Sequence, residues 1–221
     1  IQHGFGHTDG VGISWLPLYH DMGLIGHEIH PIYMGRLGVL LSPVDFLQKP
    51  IRWLQAISKY GGTTSGGPNF AYQYCVEKTT PEQREGLDLS SWVVAYSGAE
   101  MVRSATLETF AKTFEPYGFK YDALYPCYGL AEATLLVTGG DNTATPITQY
   151  VKREALEKRK VIVADPSDDG TLNLVGCGQV LLDQKVLIVD PETLTECDSD
   201  QIGEIWVSGE SIAQGYWQRP E

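Results

Sequence analysis

The strongest constraint on the fold is an alternation of strand-like and helix-like segments across the first two-thirds of the chain. Short apolar runs predict buried strands, and apolar positions at helical spacing predict the helices between them. The predicted strands are residues 11–18, 37–41, 92–96 and 123–128, and the predicted helices are residues 22–34, residues 50–60 and a helix that follows Ser104. Such alternation is typical of an α/β fold with a largely parallel sheet flanked by helices.

The pattern changes after about residue 140. Residues 141–170 are polar and turn-rich, and the β-like runs that follow are separated by Gly, Asp and Pro. These runs predict a partial antiparallel β subdomain. The expected division is therefore an α/β subdomain at 1–140, an insertion-like polar segment at 141–170 and the start of an incomplete β subdomain at 171–221.

Composition excludes several classes of protein. Of the 221 residues, 43% are hydrophobic and 20% charged, which is not typical of a disordered chain. No apolar run approaches the roughly 20 residues that a membrane span requires. The net charge of −12 argues against nucleic acid as a partner. Four cysteines without a CxxC pair predict reduced thiols and a cytoplasmic protein.

The most informative motif is residues 127–133 (CYGLAEA), which follow a predicted strand. Tyr128 offers a flat apolar face for a purine, and Gly129 permits close backbone approach. The next amides can face an anion, and the Glu132 carboxylate can bind Mg²⁺. The same pattern also fits an ordinary strand-turn-helix corner with a surface glutamate.

A second motif ends a neighbouring predicted strand at residues 96–98 (YSG). In parallel sheets, ligands bind beyond the carboxyl ends of the strands. We therefore expect Ser97 and Gly98 to lie on the same face as Tyr128 and Glu132.

Further stretches occur in a fixed order along the chain. They are residues 19–26 (YHDMGLIG), 66–72 (GGPNFAY), 87–100 (LDLSSWVVAYSGAE), 125–140 (YPCYGLAEATLLVTGG), 203–209 (GEIWVSG) and 215–217 (GYW). This series resembles the adenylate-forming superfamily of acyl-CoA synthetases, luciferases and peptide-synthetase adenylation domains. Within that superfamily the sequences of these motifs are most similar to those of the fatty acyl-AMP ligases, and the resemblance extends over essentially the whole chain.

The resemblance implies a reaction that joins a fatty acid to ATP, giving acyl-adenylate and pyrophosphate, with an acyl carrier protein as the next partner. It implies that Tyr128 stacks on adenine and that Glu132 is a catalytic residue that holds Mg²⁺. The other implied nucleotide-binding residues are Ser97, Gly98, Ala99, Glu100, Gly129, Leu130 and Ala131. Ala131 stands where the wider family has threonine, so only a backbone role is expected there.

The resemblance also assigns residues to the acyl group. His20 matches a position near the acyl carboxylate, where an imidazole can donate a hydrogen bond or line the acyl tunnel; a histidine bonded to the backbone is the alternative. Met22, Gly67 and Phe70 are expected to wall the acyl pocket, although apolar and small residues of this kind are more often core.

The family implies parts that this sequence does not contain. These are a glycine-rich phosphate loop, an aspartate for the ribose hydroxyls and a mobile C-terminal domain with a lysine. The expectation is a middle fragment of the N-terminal domain that is inactive in isolation.

Three alternatives remain open. A fatty acyl-CoA synthetase shares the adenylation step, but the extra residues between about 145 and 172 resemble the insertion of the fatty acyl-AMP ligases. An amino-acid adenylation domain has Phe-Asp where this chain has Tyr19-His20. The chain is also compatible with a non-catalytic binding or scaffold piece of a multidomain synthase.

Overall fold

The computed structural model describes residues 2–5, 10–140 and 144–219. Within them the chain forms eleven strands. They are β1 (Gly12–Ser14), β2 (Gly38–Leu40), β3 (Thr64–Gly67), β4 (Val94–Ser97), β5 (Leu124–Gly129), β6 (Leu136–Gly139), β7 (Thr148–Lys152), β8 (Thr171–Val175), β9 (Gln179–Val180), β10 (Lys185–Val189) and β11 (Glu204–Ser208).

Helices connect the parallel strands. The α-helices are α1 (Gln2–Phe5), α2 (Asp21–Gly23), α3 (His30–Met34), α4 (Pro43–Gln48), α5 (Ile51–Tyr60), α6 (Asn69–Lys78), α7 (Pro81–Arg84), α8 (Ser104–Phe114) and α9 (Arg153–Leu156). A π-helix, Leu24–Ile29, joins α2 to α3. Short 3₁₀ turns occur at Glu115–Tyr117, Tyr121–Ala123 and Ala131–Ala133.

Seven of the described strands form one sheet in the order β2-β1-β3-β4-β5-β6-β9. The pairs from β2 to β5 are parallel, whereas β6 pairs antiparallel with both β5 and β9. Two further antiparallel pairs are β7 with β8 and β10 with β11. The predicted α/β fold with a largely parallel sheet and a later antiparallel part is confirmed.

An aromatic cluster holds the helices against the sheet. Trp53 of α5, Tyr72 of α6 and Phe110 of α8 are fully buried around Trp92. Their ring centroids lie 4.9 to 6.3 Å apart, mostly in edge-to-face contacts. Burial of each large ring contributes on the order of 2–3 kcal/mol. This core makes β3 and β4 rigid supports for the loops at their ends.

Two glycines of β3 make room for large rings. A Cβ on Gly66 would lie 2.1 Å from the Tyr96 carbonyl oxygen and 2.6 Å from the Tyr96 ring. A Cβ on Gly67 would lie 2.8 Å from the Trp15 ring. Both rings therefore lie directly on the β3 backbone, and only glycine fits there.

One predicted strand is placed differently from expectation. Residues 37–41 are expected to be a buried strand, but β2 lies at the edge of the sheet and exposes Leu40. An apolar run predicts a strand but does not show which strand ends the sheet. The prediction of burial is wrong there.

The structure bears differently on the two predicted domain limits. The limit at residue 140/141 adjoins residues 141–143, which lie outside the described residues, as do residues 220–221. The segment that begins at residue 171 contributes β9 to the main sheet, so it is joined to the α/β part by backbone hydrogen bonds. In the described part of the chain, no helix is both long and apolar enough to cross a membrane.

Candidate active site

The first segment of the site is the loop that enters α2. His20 caps α2 with an extended backbone, and its side chain is 47% exposed. Its Nδ1 lies 2.5 Å from a carboxylate oxygen of Asp21 and 3.2 Å from the amide nitrogen of Met22. The same Asp21 oxygen accepts the Met22 amide at 2.8 Å. Nδ1 of His20 therefore faces Asp21 and Met22, and Nε2 is the ring nitrogen left for a ligand.

The second segment is the loop after β4. Ser97 is fully buried, and its hydroxyl has no partner among the described residues. A Cβ on Gly98 would lie 3.0 Å from the carbonyl oxygen of Cys127, so this loop lies against β5. Ala99 has φ of 66°, a conformation that is rare for a residue with a side chain and clusters at functional sites.

Glu100, in the same loop, has a partner in α6. Its carboxylate accepts the amide of Phe70 at 2.7 Å. The first-turn amides of a helix have no partner within the helix, so a carboxylate stabilises this end of α6. The side chain of Glu100 therefore has a structural contact, and its role at the nucleotide stays a prediction.

The third segment follows β5. Tyr128 and Gly129 end the strand, and Leu130 leads into the 3₁₀ turn that carries Ala131 and Glu132. Thr134 closes the turn with φ of 72° and ψ of −57°, and the Leu135 amide donates to the Ala133 carbonyl at 2.9 Å. This is a classic γ-turn, which is rare and strained.

A distant segment fixes the orientation of Glu132. The Ala213 amide donates to the Glu132 carbonyl at 2.7 Å, and the Thr134 hydroxyl donates to the Ser211 carbonyl at 2.8 Å. The Tyr216 hydroxyl donates to the Glu132 carboxylate. That hydrogen bond holds the pKa of Glu132 below its usual value, so the carboxylate is charged at neutral pH.

The three segments converge on one largely enclosed cavity of about 60 Å³. Its described lining is Phe5, His20, Asp21, Met22, Gly26, His27, Tyr96, Gly98, Ala99, Cys127, Gly129, Leu135 and Leu136. The predicted acyl residues His20 and Met22 therefore share a cavity with the predicted adenine loop. Tyr128 and Glu132 are not part of the described lining; they lie on the strand and turn next to Gly129, which is.

Two predicted acyl residues lie elsewhere. Gly67 packs under the ring of Trp15, and Phe70 is 43% exposed with its ring edge-on to Trp15 at 6.1 Å. Neither residue is part of the described cavity lining. Their expected role as acyl-pocket walls stays a prediction.

Sequence reasoning gave no role to a buried pair in this cavity. The imidazole Nε2 of His27 and the hydroxyl of Tyr96 lie 2.5 Å apart, across 69 positions of sequence. Burial lowers the pKa of His27 to about 4, so the ring is neutral at physiological pH. Sequence spacing could not reveal this contact, because it joins a π-helix to a strand. The sequence identified Tyr216 only as part of the GYW stretch at residues 215–217 and assigned it no role.

The residues present suit a nucleotide with its magnesium ion. Mg²⁺ commonly takes one or two carboxylates and completes its coordination with water and substrate phosphates. Glu132 is an exposed, ionised carboxylate, and no cluster of three or more acidic, histidine or cysteine ligands occurs in the described ranges. The donor set therefore fits a metal that arrives with phosphates rather than a metal held in a protein cage.

Comparisons with known proteins give the family. The AMP-binding enzyme family matches residues 1–217. The chain is 48% identical to the medium-chain-fatty-acid–[acyl-carrier-protein] ligase JamA of Moorena producens, over 100% of this chain and 38% of that protein. It is 41% identical to fadD21 of Mycobacterium bovis, which has the provisional name fatty-acid–CoA ligase, over 100% of this chain and 39% of that protein.

A solved structure is equally similar. The fatty acyl-adenylate ligase from L. pneumophila, determined in complex with acyl adenylate and pyrophosphate, superimposes with a TM-score of 0.94 at 50% identity. The match covers 99% of this chain and 38% of that one. The chain thus spans well under half the length of these relatives. By its match over residues 1–217, it belongs to the family of AMP-binding enzymes.

Proposed function

We propose that the full-length protein activates a fatty acid with ATP, giving an acyl-adenylate and pyrophosphate. The observation that carries this proposal is the convergence of three segments on one apolar cavity, with His20, Gly98 and Gly129 in its lining. The L. pneumophila relative, 50% identical over this region, was solved with acyl adenylate and pyrophosphate. A carboxylate is already ionised at neutral pH, so the attack needs no general base.

In this reaction a carboxylate oxygen of the fatty acid attacks the α-phosphorus of ATP, and pyrophosphate leaves. The Nε2 atom of His20 is available to orient the acyl carboxylate. Tyr128 offers its ring to the adenine, and the loop of Gly98 and Ala99 bounds the other side. Met22 contacts the acyl chain in the cavity.

We assign Glu132 to Mg²⁺. When bound, the metal neutralises negative charge that builds on the phosphates during attack. The carboxylate of Glu132 is exposed, ionised and oriented by Tyr216, which suits a hard cation. Ser97 is assigned to the nucleotide through its place beside Gly98 in the same loop, since its own side chain is fully buried.

We further propose that the acyl group passes to an acyl carrier protein. JamA, 48% identical over the whole chain, carries that acceptor in its name. The segment at 141–170 supports this assignment through its resemblance to the insertion of fatty acyl-AMP ligases. It contributes β7, which pairs with β8, and α9 between them. The four cysteines are free thiols, in keeping with a cytoplasmic location.

Transfer to CoA is the second candidate, since fadD21 is 41% identical and has a CoA-ligase name. The test incubates the full-length protein with ATP, Mg²⁺ and a fatty acid, with either CoA or phosphopantetheinylated carrier protein. Acyl-carrier product with little acyl-CoA supports the proposal. Abundant acyl-CoA would establish the second candidate instead.

A further inference from the structure

One side of the active-site cavity is formed by a buried polar pair, here called the barrier. The imidazole of His27 and the hydroxyl of Tyr96 lie 2.5 Å apart, and both side chains are almost fully buried. His27 comes from the π-helix and Tyr96 from β4, so their hydrogen bond joins the two walls of the cavity. The ring of Phe5 stacks on Tyr96 at 5.9 Å and extends the same barrier.

A second cavity lies behind this barrier. It has a volume of about 30 Å³, and its described lining includes Val11, His30, Pro31 and Thr64. It shares Phe5, Gly26 and His27 with the active-site cavity. Phe5, Gly26 and His27 therefore form the wall between the cavities, whereas Tyr96 lines only the first among the described residues.

We propose that the hydrogen-bonded pair of His27 and Tyr96 sets the maximum length of acyl chain that the active site accepts. This inference rests on the proposed function, because it takes the fatty acid to occupy the first cavity. A longer chain would have to separate His27 from Tyr96 and leave two buried polar groups without partners. That penalty exceeds what burial of one further methylene group contributes.

The π-helix provides the geometry of this wall. Such helices are rare, and they occur frequently at functional sites. Here the segment Leu24–Ile29 places Gly26 and His27 side by side on the barrier. A Cβ on Gly26 would lie 3.6 Å from a methyl group of Leu135, which is an ordinary van der Waals contact. Gly26 and Leu135 both line the first cavity. The missing side chain of Gly26 therefore leaves space that an acyl chain can use.

The two residues of the wall give substitutions with opposite expected effects. His27→Ala removes the barrier and joins the two cavities, so longer acids should be accepted. Gly26→Ala adds a methyl group to the first cavity, so the longest accepted acid should become a poorer substrate. His30→Ala is the matched control, because His30 lines only the second cavity among the described residues.

The experiment measures kcat/KM for acyl-adenylate formation by the full-length protein with the saturated acids from hexanoate to palmitate. For each variant, the kcat/KM for the next longer even-chain acid is divided by the kcat/KM for the acid that the original protein prefers. For His27→Ala this ratio should rise roughly tenfold. For Gly26→Ala, the same ratio should fall by a similar factor, and His30→Ala should keep the original profile. Thermal unfolding of each variant establishes that it is folded.

Unchanged profiles in both wall variants, or shifts in the same direction, would overturn the inference. If His27→Ala does not fold, Gly26→Ala and Tyr96→Phe test the inference in its place. Tyr96→Phe removes only the hydroxyl of the pair and should also favour longer acids. Activity of the unsubstituted protein separates the two claims. An active protein with unmoved profiles overturns the length limit alone, whereas no acyl-adenylate from any acid overturns the proposed function as well.

Discussion

The hydroxyl of Tyr216 donates a hydrogen bond to the carboxylate of Glu132, although 84 positions separate the two residues. Two further hydrogen bonds join the same two segments, from Ala213 to the Glu132 carbonyl and from Thr134 to the Ser211 carbonyl. The turn that follows β5 is therefore held by the stretch that follows β11. The orientation of the candidate metal ligand depends on residues far along the chain.

Tyr216→Phe should weaken the response to Mg²⁺ without abolishing activity. The substitution removes the hydroxyl that orients Glu132, while the carboxylate itself remains. Since a hydrogen bond at an exposed charged group is worth less than a buried one, we expect the half-saturating Mg²⁺ concentration to rise about three- to tenfold. Fatty-acid-dependent pyrophosphate exchange, measured at a series of Mg²⁺ concentrations, gives this half-saturating concentration. Trp217→Phe, at a neighbouring residue that is 88% exposed, is the control and should have no effect.

Glu132→Gln should slow adenylate formation by roughly 100-fold or more, because a neutral amide is a poor ligand for Mg²⁺ where charge builds on the phosphates. Fatty acid binding should change little, since the cavity proposed for the acyl chain is lined by other residues. Single-turnover adenylate formation and equilibrium binding of a fluorescent fatty acid separate the two effects. A variant with the original rate would remove the metal assignment.

Gly66→Ala should destabilise the full-length protein by about 1–3 kcal/mol, because the new methyl group overlaps Tyr96. Gly176→Ala is the matched control, since its Cβ would meet its nearest neighbour at an ordinary 3.6 Å. Urea unfolding of both variants measures the difference. Equal stabilities would show that Tyr96 does not lie on the β3 backbone as described.

The free energy of unfolding should decrease as the pH is lowered, because His27 titrates. Its pKa is lowered to about 4 in the folded protein, against 6.5 when exposed. The unfolded chain therefore binds more protons between these values, so the free energy of unfolding decreases as pH falls from 6.5 towards 4. The full effect is about 3 kcal/mol.

His27→Gln provides the control for that pH dependence. Its amide can still bond to Tyr96 but does not titrate, so the slope of stability against pH should become shallower in this window. Urea unfolding at several pH values compares the two proteins. Identical slopes would mean that His27 is not the buried neutral group.

Local patterns predicted the parts of the fold that depend on neighbours in sequence. Alternating apolar runs identified β4 and β5, and the loops after these strands contribute Gly98 and Gly129 to one cavity lining. The expectation that Ser97, Tyr128 and Glu132 share that site stays a prediction. The burial of residues 37–41 was mispredicted, because the edge position of β2 depends on strand order, which a local run does not contain.

Contacts between distant segments lay beyond sequence reasoning. The bond from His27 to Tyr96 spans 69 positions, and neither residue carries a pattern that specifies the other. The contact from Tyr216 to Glu132 joins two recognised motifs whose spacing alone gives no pairing. The strained conformations of Ala99 and Thr134 likewise follow from the surrounding structure rather than from their residue types.

Formation of an acyl-adenylate by the full-length protein tests the proposed function most directly. The protein is incubated with ATP, Mg²⁺ and each of a series of fatty acids, and pyrophosphate exchange is measured together with the mass of the adenylate. The expected result is exchange that requires a fatty acid, together with an adenylate of the matching acyl mass, and both should be strongly reduced in Glu132→Gln. Exchange that requires an amino acid instead, or none with any fatty acid, would contradict it.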